Sequence, residues 1–233
     1  MKRLFSYDSP LITFLNAVAD VIFVNLLYVV CCLPIFTIGA AHTALYTVAI
    51  KWCEKENAGV KEFLTAFGKN FKTSVPLWLT ILPITLFFAF DIYLMILNEF
   101  PAEWVLWVLL APLAFLFVYG MSHLFMVEAR FICSYRQALK NSILLSFGHP
   151  FCSLVNVALT AFPLVVFGTN PLLFFETGPF WFLCYFSLWG YVSAGIAKRP
   201  YERLIQRMKE AEAEQAAEAA ETAAIQPPQE ENV

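Results

Sequence analysis

Long apolar runs, separated by short polar segments, dominate this chain. A helix needs about 20 mostly apolar residues to cross the hydrocarbon core of a bilayer. Five runs meet or approach that length, and a sixth, at 35–51, is shorter. The predicted spans lie near 11–33, 35–51, 76–97, 104–127, 151–169 and 174–197. The pattern therefore predicts an all-α fold, a polytopic transmembrane helical bundle with about six spans.

The short run at 35–51 follows Pro34 directly, so it fits a second span, a re-entrant segment or a kinked continuation of the first. Lys and Arg concentrate on the cytoplasmic side of membrane helices. With six spans, every basic segment falls on one side and every turn without a basic residue falls on the other; with five, Lys2 and Arg3 fall outside. We therefore favour six spans in the cell membrane, with both termini in the cytoplasm.

The N-terminal basic pair would also suit a signal peptide. The apolar run after it is far longer than the 7–15 residues of a signal-peptide core, so we expect a retained first helix.

An internal repeat with a period of 80 residues supports the sixth span. Residues 67–88 aligned with 147–168 share eight identities in 22 positions, including the pairs Gly68/Gly148 and Pro83/Pro163. The same offset places 35–50 opposite the clear span that ends near Val127. The repeat is parallel, unlike the inverted repeats common among secondary transporters.

Composition strengthens the membrane assignment. The chain is 60% hydrophobic and 14% charged, whereas soluble domains are about 45–50% apolar and about 25% charged. The charges are segregated, because seven acidic residues and no basic ones follow Lys209. We predict a transmembrane domain at 1–200 and a cytoplasmic Ala/Glu-rich tail at 201–233 that is partly disordered. The lipid bilayer is the expected partner, and no basic block is dense enough to suggest nucleic acid.

Four polar residues within the apolar runs form a candidate site. Ionisable residues at membrane depth are costly and often functional. Asn16 and Asp20 share a face of the first predicted helix, His42 lies in the second run, and Asp91 lies towards the outer end of the third. One hypothesis is a polar pocket or proton path around Asp20 and His42. The other is interhelical hydrogen bonding that fixes helix packing.

An aromatic stripe precedes the span at 76–97. Within the segment 61–74, Phe63, Phe67 and Phe71 recur every four residues among lysines, as in an amphipathic interfacial helix. The same stripe also suits a cytoplasmic docking face for a partner protein. The equivalent segment of the second repeat, 135–147, is a second candidate amphipathic helix.

Motifs for chemistry are missing from the sequence. It contains no H-E-x-x-H, G-x-S-x-G or Walker A pattern, and its cysteines lack metal-ligand spacing. We therefore predict no catalytic residue, metal site or cofactor, and no enzyme activity. Glu128-Ala129-Arg130 starts like the coupling loop of ABC importer permeases, but the next glycine is Gly148 and no Ile-x-Leu-Pro follows.

The segment 25–46 carries a recognisable motif. It contains Asn25-Leu26, then a Leu-Pro-x-x-Thr-x-Gly pattern at 33–39, then Ala44-Leu45-Tyr46, and Phe63–Phe71 follows as an F-x-x-x-F element. The motif resembles the YesL-like family of bacterial membrane proteins, a domain of unknown function with number 624. The resemblance is strongest over residues 5–80.

The resemblance implies a small polytopic protein of Gram-positive bacteria, whose relatives' genes often neighbour sugar ABC importers and two-component regulators. This implies an accessory or interaction role linked to carbohydrate uptake, with a sugar ABC transporter or a sensor kinase as the expected partner. The alternative, motivated by Asp20, His42 and Asp91, is a small transporter or channel in its own right.

Overall fold

The structure is a computed structural model that describes residues 10–97, 103–131 and 134–225, and this part of the chain is helical without strands. The prediction of an all-α fold is therefore confirmed over these residues. The α-helices, in chain order, are α1 Pro10–Cys32, α2 Ile38–Cys53, α3 Val60–Leu97, α4 Glu103–Met121, α5 Leu124–Arg130, α6 Tyr135–Gly148, α7 Pro150–Thr169, α8 Pro171–Glu176, α9 Gly178–Phe180 and α10 Phe186–Ile225. A 3₁₀ turn, Ile35–Thr37, precedes α2, and a π-helical segment, Trp181–Tyr185, precedes α10.

Five helical segments in the described ranges are long and apolar enough to cross a membrane. They are Leu11–Cys32, Val60–Asp91, Trp107–Arg130, Pro150–Thr169 and Gly178–Gln206. Their exposed surfaces carry large apolar side chains such as Phe14, Val108 and Leu164. The chain is accordingly a multi-pass membrane protein.

Helix α3 is longer than the sequence pattern predicts. The pattern separates an amphipathic segment at 61–74 from a span at 76–97, but the structure joins them in one helix of 38 residues, about 57 Å long at 1.5 Å per residue. Pro76 and Pro83 lie inside this helix without ending it. A proline removes a single backbone hydrogen bond, and neighbouring groups can compensate for that loss in membrane helices.

The corresponding part of the second half is broken into two helices. Helix α6 begins at a capping box, in which Gln137 Oε1 accepts a hydrogen bond from the backbone N–H of Ser134 at 3.0 Å. It ends at Gly148, and Pro150 occupies the first turn of α7. Proline is favoured at that position because the N–H it lacks has no partner within the helix there.

Helix α2 forms the centre of the core. Ten of its sixteen residues are buried, and they are mainly small: glycine, alanine and threonine. It packs against α1 and α3, where Val24, Tyr28 and Phe63 join its residues in one hydrophobic cluster. Small residues let helix backbones approach closely, which is the usual basis of helix packing in membranes.

The chain divides into two compact units, Met1–Ile196 and Ala197–Val233. Within the second unit the helix continues to Ile225, with a Lys198–Glu202 pair at 4.0 Å one turn apart. The helix therefore covers most of the predicted tail, whereas residues 226–233 lie outside the described part.

Candidate functional site

Two of the predicted site residues, Asn16 and Asp20, line one cleft of about 660 Å³. Its walls come from α1, from the end of α2 and the turn that follows it, and from α10. The remaining lining residues are Thr13, Ala17, Val21, Trp52, Lys55, Glu56, Asn57, Ala58, Leu188 and Tyr191. The volume lies within the range of about 300–1,000 Å³ that is usual for small-molecule sites. The cleft therefore combines two aromatic side chains with charges of both signs.

Asp20 lies beside Gly59, the residue immediately before α3. Its Oδ1 is 2.7 Å from the place that a Cβ on Gly59 would occupy, so the missing side chain of Gly59 lets α1 approach the turn. No hydrogen bond or ion pair links Asp20 to the part of the chain that the structure describes. A carboxylate near a helix N-terminus is favoured by the helix dipole, but it still lacks a direct partner.

Lys55 terminates α2 in an uncommon backbone conformation. Its φ is +62°, and among the described residues no other non-glycine residue has a positive φ. The N–H of Glu56 donates to Lys51 O at 2.9 Å and that of Lys55 donates to Trp52 O at 3.1 Å. These two bonds form a Schellman motif, whose left-handed position usually holds glycine. The strained lysine projects from a wall of the cleft.

His42 does not lie with Asp20. Its ring is enclosed by the rings of Tyr28, Phe125 and Trp189, with centroids 5.3 to 5.4 Å away. Tyr28 Oη lies 3.3 Å from the imidazole nitrogens, and His42 Nδ1 lies 3.0 Å from Ile38 O. Asp20 is level with the end of α2 near Trp52, ten residues or about 15 Å further along that helix.

Asp91 is farther still from the other three residues. It lies 32 residues beyond Gly59, the neighbour of Asp20, which corresponds to about 48 Å along α3. The structure therefore brings Asn16 and Asp20 together and leaves His42 and Asp91 apart. The four predicted residues therefore do not share one site. Asp20 on α1 lies beside the C-terminal end of α2, whereas His42 lies about 15 Å away along α2.

A buried carboxylate that no sequence pattern singles out lies between α2, α3 and α5. Glu128 on α5 is buried, and its Oε2 lies 3.0 Å from the Thr43 hydroxyl of α2. Ser74 on α3 donates to the same hydroxyl at 3.0 Å. The three side chains join three helices. The sequence marks Glu128 only as the edge of an apolar run, so no local signal places it inside.

A second group of buried polar residues surrounds Asn156 on α7. Its Oδ1 accepts hydrogen bonds from Tyr46 at 3.4 Å, from Trp189 at 3.1 Å and from Ser193 at 3.1 Å, and its Nδ2 donates to Ser122 O. One amide thus connects four segments of the chain.

His123 lies in the same region, with its Nε2 3.0 Å from Ser153 Oγ. An 80-residue shift relates His123 to Thr43, which contacts Ser74 in the first half. The 80-residue period of the repeat is therefore a sequence signal that could have pointed to His123 as a polar contact between helices.

The three phenylalanines of the predicted docking face point largely inward. Phe63 is fully buried, and Phe67 packs against the same core. Ring centroids are 6.4 Å apart for Phe63 and Phe67 and 5.6 Å apart for Phe67 and Phe71. Phe63 offers no surface to a partner in this structure, because the stripe forms the contact of α3 with α1 and α2.

Across the described ranges, no group of three or more His, Cys, Asp or Glu side chains is placed to hold a metal ion. Charged side chains near the end of α2 form ion pairs with the neighbouring helices α3 and α5. These pairs are Lys51–Glu62 at 2.8 Å and Glu54–Arg130 at 3.1 Å.

Comparison with known families identifies a similarity over part of the chain. The family described as "Protein of unknown function, DUF624" matches residues 21–92. The match covers the C-terminal half of α1, all of α2 and most of α3, and it includes the Leu-Pro-x-x-Thr-x-Gly segment. No curated protein and no solved structure matches the chain.

Proposed function

We propose that this chain is a YesL-like accessory component of a bacterial plasma membrane, acting beside a carbohydrate-uptake system of a Gram-positive organism. The match to DUF624 over residues 21–92 supports the family relationship. The link to carbohydrate uptake rests on the resemblance of the motif at 25–46, and a sugar ABC transporter or a sensor kinase is the proposed partner.

The pairing of two buried amides, Asn25 and Asn156, is the observation that favours an accessory role over transport. Asn156 binds four groups of the protein, and Asn25 Nδ2 donates to the carbonyls of Trp181 and Phe182 at 3.1 and 2.7 Å. Side chains that use their hydrogen-bonding capacity on neighbouring helices stabilise packing. A translocation path would instead present such groups to water or to a substrate.

For the topology, we propose six crossings with both termini in the cytoplasm and a parallel repeat. The distribution of Lys and Arg supports the orientation. Two equivalent contacts support the repeat: Thr43 binds Ser74 in the first half, and His123 binds Ser153 in the second, each at 3.0 Å and close to an 80-residue shift. Labelling of single cysteines at Glu56 and Glu103 in intact cells tests the orientation, because only the second should react with an impermeant reagent.

The functional test compares uptake in cells with uptake by the purified protein. We expect a deletion strain to accumulate labelled oligosaccharide more slowly than the wild type, and a plasmid copy to restore uptake. We expect proteoliposomes that contain this chain alone to accumulate none. Normal uptake by the deletion strain across a panel of oligosaccharides would contradict the accessory role.

The alternative is a small transporter, and the cleft that holds Asn16 and Asp20 is the observation that favours it. Sugar accumulation in proteoliposomes of the pure chain, lost in Asp20→Ala, would establish the alternative and refute the accessory role.

A further inference from the structure

The cleft between α1 and α10 carries unpaired charges of opposite sign. Asp20 and Lys55 both line it, yet they form no ion pair with each other. Neither side chain binds another group within the part of the chain that the structure describes. Lys55 is exposed in the turn, whereas Asp20 is half-buried on an apolar helix, where an ionised group that lacks a partner is costly. The two charges therefore leave an incomplete electrostatic arrangement that a dipolar ligand can complete.

The other walls of the cleft suit the same kind of ligand. Trp52 and Tyr191 present aromatic rings, and such rings attract organic cations when the cation lies over the face. Glu56 adds a second carboxylate, while Asn16 and Asn57 supply amide donors and acceptors. The cleft thus offers carboxylates and aromatic rings to a cation, and a lysine to an anion.

The position of the cleft indicates which ligands can reach it. The turn that forms one wall contains Glu54, Lys55 and Glu56 between α2 and α3. Charged residues of this density are excluded from the hydrocarbon core, so this turn lies at the boundary between membrane and water. Trp and Tyr are enriched at the same depth. A ligand can therefore arrive from the lipid headgroup layer or from water.

We propose that this cleft binds a zwitterion that carries an ammonium and a phosphate, with the ammonium at Asp20 and the phosphate at Lys55. A phosphatidylethanolamine headgroup and a free phosphoethanolamine both have this chemistry. The inference is independent of the proposed link to carbohydrate uptake, since neither the site nor its ligand depends on a partner protein.

The test uses the full chain in nonionic detergent, with thermal unfolding and native mass spectrometry as measurements. The probes are phosphatidylethanolamine, phosphatidylglycerol, which lacks the ammonium, and soluble phosphoethanolamine. We expect phosphatidylethanolamine to raise the unfolding temperature and to stay bound, and phosphatidylglycerol to do neither. Competition by phosphoethanolamine would identify the free zwitterion as sufficient, and its failure would identify the lipid as the source; both results support the site.

Substitutions separate this site from general lipid binding. Asp20→Asn and Lys55→Met should each weaken binding by about tenfold or more, because charge-assisted hydrogen bonds are about twice as strong as neutral ones. Asp91→Asn and Lys69→Met make the same chemical changes on α3, away from the cleft, and should leave affinity unchanged. Asp20→Glu should retain most of the binding, which distinguishes lost charge from misfolding.

Three results would overturn the proposal. The first is equal retention of phosphatidylglycerol and phosphatidylethanolamine. The second is unchanged affinity in Asp20→Asn when the unliganded variant unfolds at the wild-type temperature. The third is an equal loss of affinity in Asp91→Asn, which would show that the lipid binds wherever a carboxylate meets the bilayer.

Discussion

Helices α2 and α7 are both apolar segments, yet their buried residues are of opposite kinds. In α2, ten of sixteen residues are buried, and most of them are small or aliphatic. In α7, Ser153 and Asn156 are the residues that are buried, whereas Phe151 and Leu164 are more than 70% exposed. One helix is enclosed by protein, and the other presents its apolar side chains outward.

The difference shows that apolarity does not mark the interior of this molecule. Lipid is as apolar as a leucine side chain, so large hydrophobic residues gain little from facing inward. Small residues that allow close approach, and polar residues that need partners, are the ones that gain. Glycine, alanine and hydrogen-bonding side chains therefore share the core of this bundle with larger apolar residues such as Leu45 and Phe63.

The largest expected effect comes from the closest approach of α2 to α3. A Cβ on Gly39 would lie 2.6 Å from Trp78 Cβ and 2.7 Å from Ser74 O, so Gly39→Ala should lower the free energy of unfolding by about 3 kcal/mol. Gly168 in α7 has no neighbouring atom within 4 Å of such a Cβ, and Gly168→Ala should raise stability by about 0.5 kcal/mol. Unfolding in detergent, followed by circular dichroism, measures both; similar effects would remove the contrast between the helices.

Within α7, the contrast between its two faces should be nearly as large. Asn156→Leu deprives Tyr46, Trp189 and Ser193 of their acceptor, which should cost about 2 kcal/mol. Phe151→Ala removes a far larger apolar side chain that is 71% exposed, and should change stability by about 0.5 kcal/mol or less. A greater loss from Phe151→Ala than from Asn156→Leu would show that apolar burial holds this helix.

The hydroxyl between Ser74 and Glu128 provides a smaller test. Thr43→Val keeps the shape of the side chain and leaves Glu128 Oε2 without its 3.0 Å donor, for an expected cost of about 1 kcal/mol. Thr169→Val in α7 removes a hydroxyl that binds only backbone carbonyls of its own helix. That control should unfold within about 1 °C of the wild type, and an equal shift in both variants would contradict a tertiary role for Thr43.

The smallest effects are expected at the C-terminal ends of α2 and α7, where a substitution by glycine should change stability in opposite directions. Lys55→Gly relieves a left-handed backbone position and should raise stability by about 1 kcal/mol in the absence of ligand. Asn170 ends α7 with φ −150° and accepts a hydrogen bond from Leu173 N, so Asn170→Gly should lower stability by a few tenths of a kcal/mol. Chemical denaturation of the detergent-solubilised variants gives both signs, and a loss of stability in Lys55→Gly would contradict backbone strain there.

The sequence predicted the elements that depend on local pattern. The apolar run at 151–169 corresponds to α7, and the run at 11–33 corresponds to α1. It did not predict that α3 continues through Pro76, because a proline ends a helix in water more readily than in a bundle that can compensate for the lost bond.

The candidate site was harder to predict because it depends on where residues of neighbouring helices lie relative to one another along the helix axes. Asn16 and Asp20 lie on one helix face, and their shared cleft follows from that spacing. The separation of Asp20 from His42 depends on where the turn after Cys53 meets α1, and no periodicity encodes that contact. The inward position of Glu128 likewise follows from its pairing with Thr43, 85 residues away.

Lipid-phase labelling most directly tests the claim that α2 is enclosed by protein while α7 faces lipid. A membrane-soluble carbene reagent, activated in native bilayers and mapped by mass spectrometry, should label Phe151, Leu164 and Phe167 heavily. It should leave Leu45 and Val48 unlabelled, since both are fully buried. Equal labelling of the two helices would contradict this account.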